Sequence, residues 1–134
     1  MKLNCIIVED EHLAQNILVR FINAIGTLVL VRKCNNALEA LSVLHTEAID
    51  IMFLDIKMPE LNGLDLLKSL PHPPHVIITT AYSEYALMGY ELSVTNYLLK
   101  PFSFERFLRA VNKVIEYRKA VTAPVSPIRH TLPN

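Results

Sequence analysis

Six side chains able to do chemistry follow short apolar runs in the 134-residue chain. The carboxylates of Glu9, Asp10 and Glu11 follow Asn4–Val8, and that of Asp55 follows Ile51–Leu54. The hydroxyl of Thr80 follows Val76–Thr79, and the ammonium of Lys100 follows Tyr97–Leu99. Carboxylates gathered within a few ångströms repel one another unless a cation or a lysine neutralises them. Oxygen ligands suit a hard divalent ion such as Mg²⁺, which keeps waters that a phosphate oxygen can replace. A carboxylate beside such an ion and an ammonium group is equipped for phosphoryl transfer, the positive groups stabilising the transferred oxygens. Each residue also has an ordinary structural reading. Acidic residues favour helix starts, Asp and Lys-Pro favour turns, and a single threonine is usually a satisfied loop hydroxyl. The functional reading rests on their coincidence at successive strand ends.

The elements that must position them alternate along the chain. Asn4–Val8, Leu28–Val31, Ile51–Leu54, Val76–Thr79 and Tyr97–Leu99 are rich in Ile, Val and Leu and nearly continuous, as strands buried on both faces are. Between them, Leu13, Ile17, Leu18, Phe21, Ile22 and Ile25 mark one helix face, with Gly26 as its C-terminal stop. Leu38, Leu41 and Leu44 mark a second helix with Asn36 as N-cap. Leu64, Leu67 and Leu70 mark a third, closed by Pro71. Ala86, Leu87 and Tyr90 mark a short fourth. Phe104, Phe107, Leu108, Val111 and Ile115 mark a fifth, capped by Ser103. Five strands alternating with five helices predict an α/β fold, a parallel sheet covered on both faces. Such sheets gather functional groups at the carboxyl ends of their strands.

Composition narrows the classes. Apolar residues make up 51% of the chain and charged ones 19%, enough to build a core and too apolar for global disorder. Thirteen basic and thirteen acidic residues balance, which argues against a strongly basic nucleic-acid or membrane-surface protein. Three glycines leave no room for a glycine-rich nucleotide loop. Cys5 and Cys34 form no CxxC pair and read as buried thiols of a reducing compartment. His72 and His75 flank prolines and read as solvated. No apolar run approaches the ~20 residues of a membrane span, and Glu9-Asp10-Glu11 cuts the first one short, so no signal peptide is expected. The expectation is a cytoplasmic domain over residues 1–120. The stretch 121–134, with prolines at 124, 127 and 133, reads as a linker or flexible tail.

The segments IIVEDE, MFLDIKMPELNGLDLL, VIITTAYSEYAL and NYLLKPF, in this order, resemble the response-regulator receiver domains of two-component signalling, over residues 2 to about 120. The resemblance implies a flavodoxin-like (βα)5 doubly wound sheet of strand order 2-1-3-4-5. It implies that Asp55 is the phosphoacceptor, self-catalysed rather than enzymatic in the usual sense, and that Mg²⁺ is the cofactor. The ion would be held by Glu9, Asp10, Asp55 and the backbone carbonyl of Lys57. Thr80 would be the switch hydroxyl, Tyr97 the switch aromatic, and Lys100 the phosphate-binding lysine before a cis proline. Phosphorylation by a sensor histidine kinase would remodel the face made by the fourth helix, fifth strand and fifth helix, with a homodimer as the expected consequence. AYSEYALMGYELSVTNYLLKPF resembles the LytTR (LytR/AlgR) class, whose output is transcription through a C-terminal DNA-binding domain. That domain needs about a hundred further residues, so DNA is expected as a partner only through a segment this chain lacks.

Two other readings bear on the same fold. A stand-alone receiver would act as a phosphotransfer or interaction module. An FMN-binding flavodoxin-like protein would need hydroxyls and glycines in its first loop, where Glu9-Asp10-Glu11 would instead repel the flavin phosphate. Lys57 and Tyr82, two residues beyond the acceptor and the switch threonine, border the approach of water to a phosphorylated Asp55 in receivers. They are expected to slow its hydrolysis.

Overall fold

A computed structural model describes residues 2–83 and 96–122. Its elements run β1 (Leu3–Val8), α1 (His12–Asn23), β2 (Leu28–Cys34), α2 (Ala37–Thr46), β3 (Ile51–Leu54), α3 (Gly63–Ser69), β4 (His75–Thr80), β5 (Asn96–Leu99) and α4 (Phe104–Thr122). Every paired strand is parallel, in the order β2-β1-β3-β4-β5. Helix α4 is the fifth helical pattern of the sequence. The fourth, at Ala86, Leu87 and Tyr90, lies outside the described residues, as do positions 123–134.

Successive side chains of a strand point to opposite faces, and here both faces are covered. Ile6, Val8, Met52, Leu54 and Ile78 pack against α2 and α3 on one side. Cys5, Ile7, Phe53, Ile77 and Leu98 pack against α1 and α4 on the other. The central strands are therefore apolar without alternation, as expected of a doubly wound sheet.

Several expectations require correction. Strand β2 runs three residues further than Val31 and is not buried on both faces; Val29, Arg32 and Lys33 are exposed. It is an edge strand, and its polar end hid its length. Its register against β1 slips between Cys5 and Ile6, leaving Val31 as the extra residue of a bulge. Helix α1 stops at Asn23 with Ala24 in the right-handed helical region, so Gly26 caps nothing. Leu13 and Ile17 are exposed, 74% and 42%, because the core takes Ala14, Leu18 and Ile22. Helix α2 fully buries Ala37, Ala40 and Val43, while Leu41 and Leu44 of the expected stripe pack half-buried at the core's margin and Leu38 faces solvent. In α4 the fully buried positions are Phe107, Ala110, Val111 and Val114. Phe104 lies partly exposed, its ring edge-on to Phe21 at 5.3 Å. His75 is not a solvated loop residue: it opens β4, half-buried, edge-on to the Tyr117 ring at 5.2 Å. The expected caps are present. Asn36 accepts from the Glu39 N–H at 2.9 Å and Ser103 from the Arg106 N–H at 3.1 Å.

Both cysteines are buried free thiols. Burial pushes Cys5 up to about 12 and Cys34 up to about 11, with Asp50 and Glu39 respectively adding to the effect. Unfolded thiols ionise near pH 8.5. The stabilisation from keeping them neutral is therefore complete below that pH and is lost as the pH climbs towards 11. At pH 8 the folded chain should be alkylated more than about a hundredfold slower than the urea-unfolded chain, since the thiolate is the nucleophile. Mass spectrometry of iodoacetamide adducts over time reads both rates.

Candidate functional site

Parallel registry brings the strand ends together. Val8 pairs with Leu54, and Thr80 with Leu99, so the residues that follow meet on one edge. The Asp55 N–H donates to the Val8 carbonyl at 2.9 Å, and the Lys100 N–H to the Thr80 carbonyl at 2.7 Å. With the Glu9 N–H on the Cys34 carbonyl at 3.0 Å, the loops after β1, β3 and β5 are stitched to their neighbours before any side chain is considered.

Glu9 is fully buried. Its Oε1 accepts from Lys100 Nζ at 2.5 Å and its Oε2 from the Glu11 N–H at 3.2 Å. Asp55, also buried, accepts from the Ile56 N–H through Oδ1 at 2.8 Å and leaves Oδ2 3.5 Å from Lys100 Nζ. Asp10 is exposed at the rim. Burial pushes the Glu9 carboxyl up to about 7; Lys100 opposes the rise and Asp55 adds to it. Asp55 is also raised by burial, against the pull of Lys100. For Lys100, burial alone would lower the pKa, but the hydrogen bond to Glu9 and the charge of Asp55 carry it above the usual lysine value. Two buried carboxyls held above their normal range beside one ammonium form a site short of positive charge.

One oxygen each from Glu9, Asp10 and Asp55 lies within 4.8 Å of the others. An all-oxygen, triply acidic set of that size fits a hard divalent cation such as Mg²⁺. These residues border a cavity of about 630 Å³, lined also by Lys57, Tyr82 and the exposed apolar Leu13. The buried Thr80 hydroxyl accepts from the Tyr82 N–H at 3.3 Å, and the Tyr97 hydroxyl donates to the Tyr82 carbonyl. Lys57 Nζ stands 4.3 Å from the centre of the Tyr82 ring, a cation–π contact across the cavity mouth. Glu9, Asp10, Asp55, Lys57, Thr80 and Lys100 thus fall at this edge, while Tyr97 lies within β5 opposite Ile78 and reaches the Tyr82 loop through its hydroxyl; the Lys100–Pro101 bond is cis.

Two contributors were not singled out from the sequence. Gly63 opens α3 against the acceptor loop, its N–H donating to the Ile56 carbonyl at 2.7 Å. A Cβ at Gly63 would collide with the Asp55 backbone oxygen and meet Ile56 Cα at 3.0 Å. Only glycine permits that approach. Gly63→Ala should cost about 2 kcal/mol, as overpacking against backbone does, and should displace Asp55. Urea unfolding reads the first effect and the Asp55 amide shift the second. Gln15 is buried beside Glu9, and a polar residue on the inward side of an amphipathic helix was the available signal.

A doubly wound parallel sheet with a carboxylate trio, a lysine and a threonine at its strand ends is the arrangement that the sequence resemblance to receiver domains implies. The sequence matches the family described as response regulator receiver domain over residues 5–112, and the chain belongs to that family. It is 37% identical over 115 residues to the transcriptional regulatory protein LytR of Staphylococcus aureus, covering 84% of this chain and 47% of that protein. It is 40% identical over 112 residues to the sensory transduction protein LytR of Staphylococcus haemolyticus, covering 81% of this chain and 44% of that one. The chain therefore spans less than half the length of these relatives. Among solved structures, the response regulatory domain of protein mrkE from Klebsiella pneumoniae superposes with a TM-score of 0.81 at 32% identity, over 88% of this chain and 99% of that one. The response regulator TrrA of Thermotoga maritima, solved in complex with Mg²⁺–BeF, superposes with a TM-score of 0.75 at 26% identity, over 85% and 99% respectively.

Proposed function

We propose that this receiver accepts one phosphoryl group on Asp55 from a sensor histidine kinase, in a reaction that requires Mg²⁺. The observation that carries the proposal is the approach of Asp55 Oδ2 to Lys100 Nζ, 3.5 Å apart, within the Glu9–Asp10–Asp55 cluster. Glu9, Asp10, Asp55 and the Lys57 carbonyl would hold the ion, which supplies Lewis-acid stabilisation of phosphoryl oxygens when bound. The Asp55 carboxylate attacks phosphorus, the donor's bond to phosphorus breaks, and an acyl phosphate results. Lys100 exchanges part of its contact with Glu9 for a phosphoryl oxygen. Intact mass after incubation with acetyl phosphate tests this. One added phosphoryl group with Mg²⁺ and none without it is expected; uptake indifferent to Mg²⁺ would refute it.

The switch follows from the same loop. Thr80 is offered as the hydroxyl that moves to the phosphoryl group and Tyr97 as the aromatic that responds. Tyr82 links them, its N–H on the Thr80 hydroxyl and its carbonyl on the Tyr97 hydroxyl. A threonine drawn towards phosphate gives up the Tyr82 N–H and frees that loop to rearrange. Thr80→Ala should leave phosphorylation within about threefold of normal and abolish the phosphate-induced change in amide exchange around Tyr97. An unchanged exchange response in the variant would remove Thr80 from the switch.

The exposed apolar Leu13 and Ile17, beside the cavity mouth, form the surface on which the kinase's histidine-bearing helix would seat. The output is transcription, as in the transcriptional regulatory protein LytR, through homodimerisation and the LytTR DNA-binding domain that the sequence resemblance implies, with residues 1–120 as the receiver and the stretch 121–134, its first two residues still in α4, as a linker or tail. The free thiols of Cys5 and Cys34 fit a reducing compartment, and a cytoplasmic location is part of this proposal. Among the described residues, no helix is long and apolar enough to cross a membrane.

A further inference from the structure

Among the described residues the buried polar side chains are Glu9, Gln15, Asp55, Thr79 and Thr80. Gln15 has no part in the chemistry above. It occupies the inward side of α1, between Ala14 and Leu18, where an aliphatic residue would ordinarily pack. Its Nε2 donates twice: to the Glu9 main-chain carbonyl at 2.5 Å, and to Asn35 Oδ1 at 2.8 Å. The Asn35 N–H in turn donates to Glu39 Oε1 at 3.0 Å. On its other side, residue 9 donates its own N–H to the Cys34 carbonyl at 3.0 Å.

The oxygen that Gln15 grips belongs to the peptide joining Glu9 to Asp10. A peptide unit is planar, so fixing its oxygen fixes the Asp10 N and Cα and leaves only rotation about the N–Cα and side-chain bonds of Asp10 to aim its carboxylate. Asp10 is the exposed member of the carboxylate cluster. We infer that Gln15 is a positioning residue for divalent-cation binding, its carboxamide locking the Glu9–Asp10 peptide so that both carboxylates address the same ion as Asp55. The inference rests on the Mg²⁺ reading above. Partners behind metal ligands commonly govern affinity without touching the metal.

Mg²⁺ titration of the whole chain, followed by amide shifts, tests it. Gln15→Met keeps the length and unbranched shape of the side chain but donates no hydrogen. It should weaken Mg²⁺ binding about tenfold, in the range seen for such outer partners. Val43→Ala, a core truncation in α2 remote from the site, serves as the stability control and should leave Mg²⁺ affinity unchanged. Asn35→Ala, at an exposed position, frees the second hydrogen of the amide and should weaken Mg²⁺ binding several-fold; it decides the matter if Gln15→Met does not fold. Unchanged affinity in the folded Gln15 variant, or equal weakening by Val43→Ala, overturns the inference. If Asp10→Asn weakens Mg²⁺ binding and Gln15→Met does not, only the role of Gln15 falls. If the wild-type chain binds no Mg²⁺, the cation site falls and this role with it.

Discussion

Asp55→Asn is expected to give a folded protein that gains no phosphoryl mass from acetyl phosphate and Mg²⁺, and that melts above the wild type in metal-free buffer. The first effect follows from chemistry: a carboxamide is not a nucleophile towards phosphorus, and Glu9 is already committed to Lys100 and the Glu11 N–H. The second follows from electrostatics. The amide oxygen can still accept from the Ile56 N–H, so the loop keeps its anchor, while one of three clustered negative charges is removed. Burial holds both Glu9 and Asp55 above the usual carboxyl range, Glu9 to about 7. Groups raised in the folded state contribute stability below their unfolded pKa and lose it as the pH rises through the folded one. The metal-free wild type should therefore lose stability as the pH rises from about 4 to about 7, the window set by Glu9, and Asp55→Asn should flatten that loss. Calorimetric melts at several pH values, with the mass measurement beside them, read both effects. Continued uptake of label by the variant would move the acceptor elsewhere.

The clustered site residues were legible because topology alone selects their place. Glu9, Asp10, Asp55, Thr80 and Lys100 each follow an apolar run, and parallel strands end on one edge. What was not legible depended on contacts between elements. The leucine stripe of α2 is a better helical signal than Ala37, Ala40 and Val43, yet close packing of a helix on a sheet favours small residues, and Leu38 is left outside. Leu13 and Ile17 match an amphipathic pattern but face the cavity rather than the core. Arg32 and Lys33 read as the end of a strand, because an edge strand does not need two apolar faces. His75 sits between prolines and a strand, and only the β3–β4 pairing and Tyr117 decide which it joins. Gln15 and Gly63 act through backbone carbonyls of other loops, a role no periodicity encodes. Lys57 and Tyr82, paired in the sequence by their offsets from Asp55 and Thr80, are in contact.

That contact sets the expectation for how long the signal lasts. Hydrolysis of an acyl phosphate needs a water in line with phosphorus, opposite the Asp55 oxygen, so that the water–phosphorus bond forms as the acyl bond breaks. Lys57 and Tyr82 both line the cavity that contains Asp55, and neither carries a carboxylate or amide able to orient an attacking water. The ammonium lies 4.3 Å from the ring centre, at a site where such a contact is worth about 0.5–1 kcal/mol. The Tyr82 backbone is held at both ends by Thr80 and Tyr97, so the cover is attached to the switch rather than hanging free. The phosphorylated chain should accordingly decay over many minutes rather than seconds. Replacing Tyr82 by Ala and Lys57 by Asn together removes the cover and introduces an amide that can orient water. It should shorten the lifetime about tenfold, which is only about 1.4 kcal/mol of barrier. Loss of the phosphorylated mass after exchange into fresh Mg²⁺ buffer without donor measures it. The single variants separate the roles: Tyr82→Ala alone tests obstruction, and Lys57→Asn alone tests whether the ammonium holds the ring in place. Wild-type decay within seconds, or a double variant no faster than wild type, would mean that water reaches phosphorus by a path these two side chains do not guard.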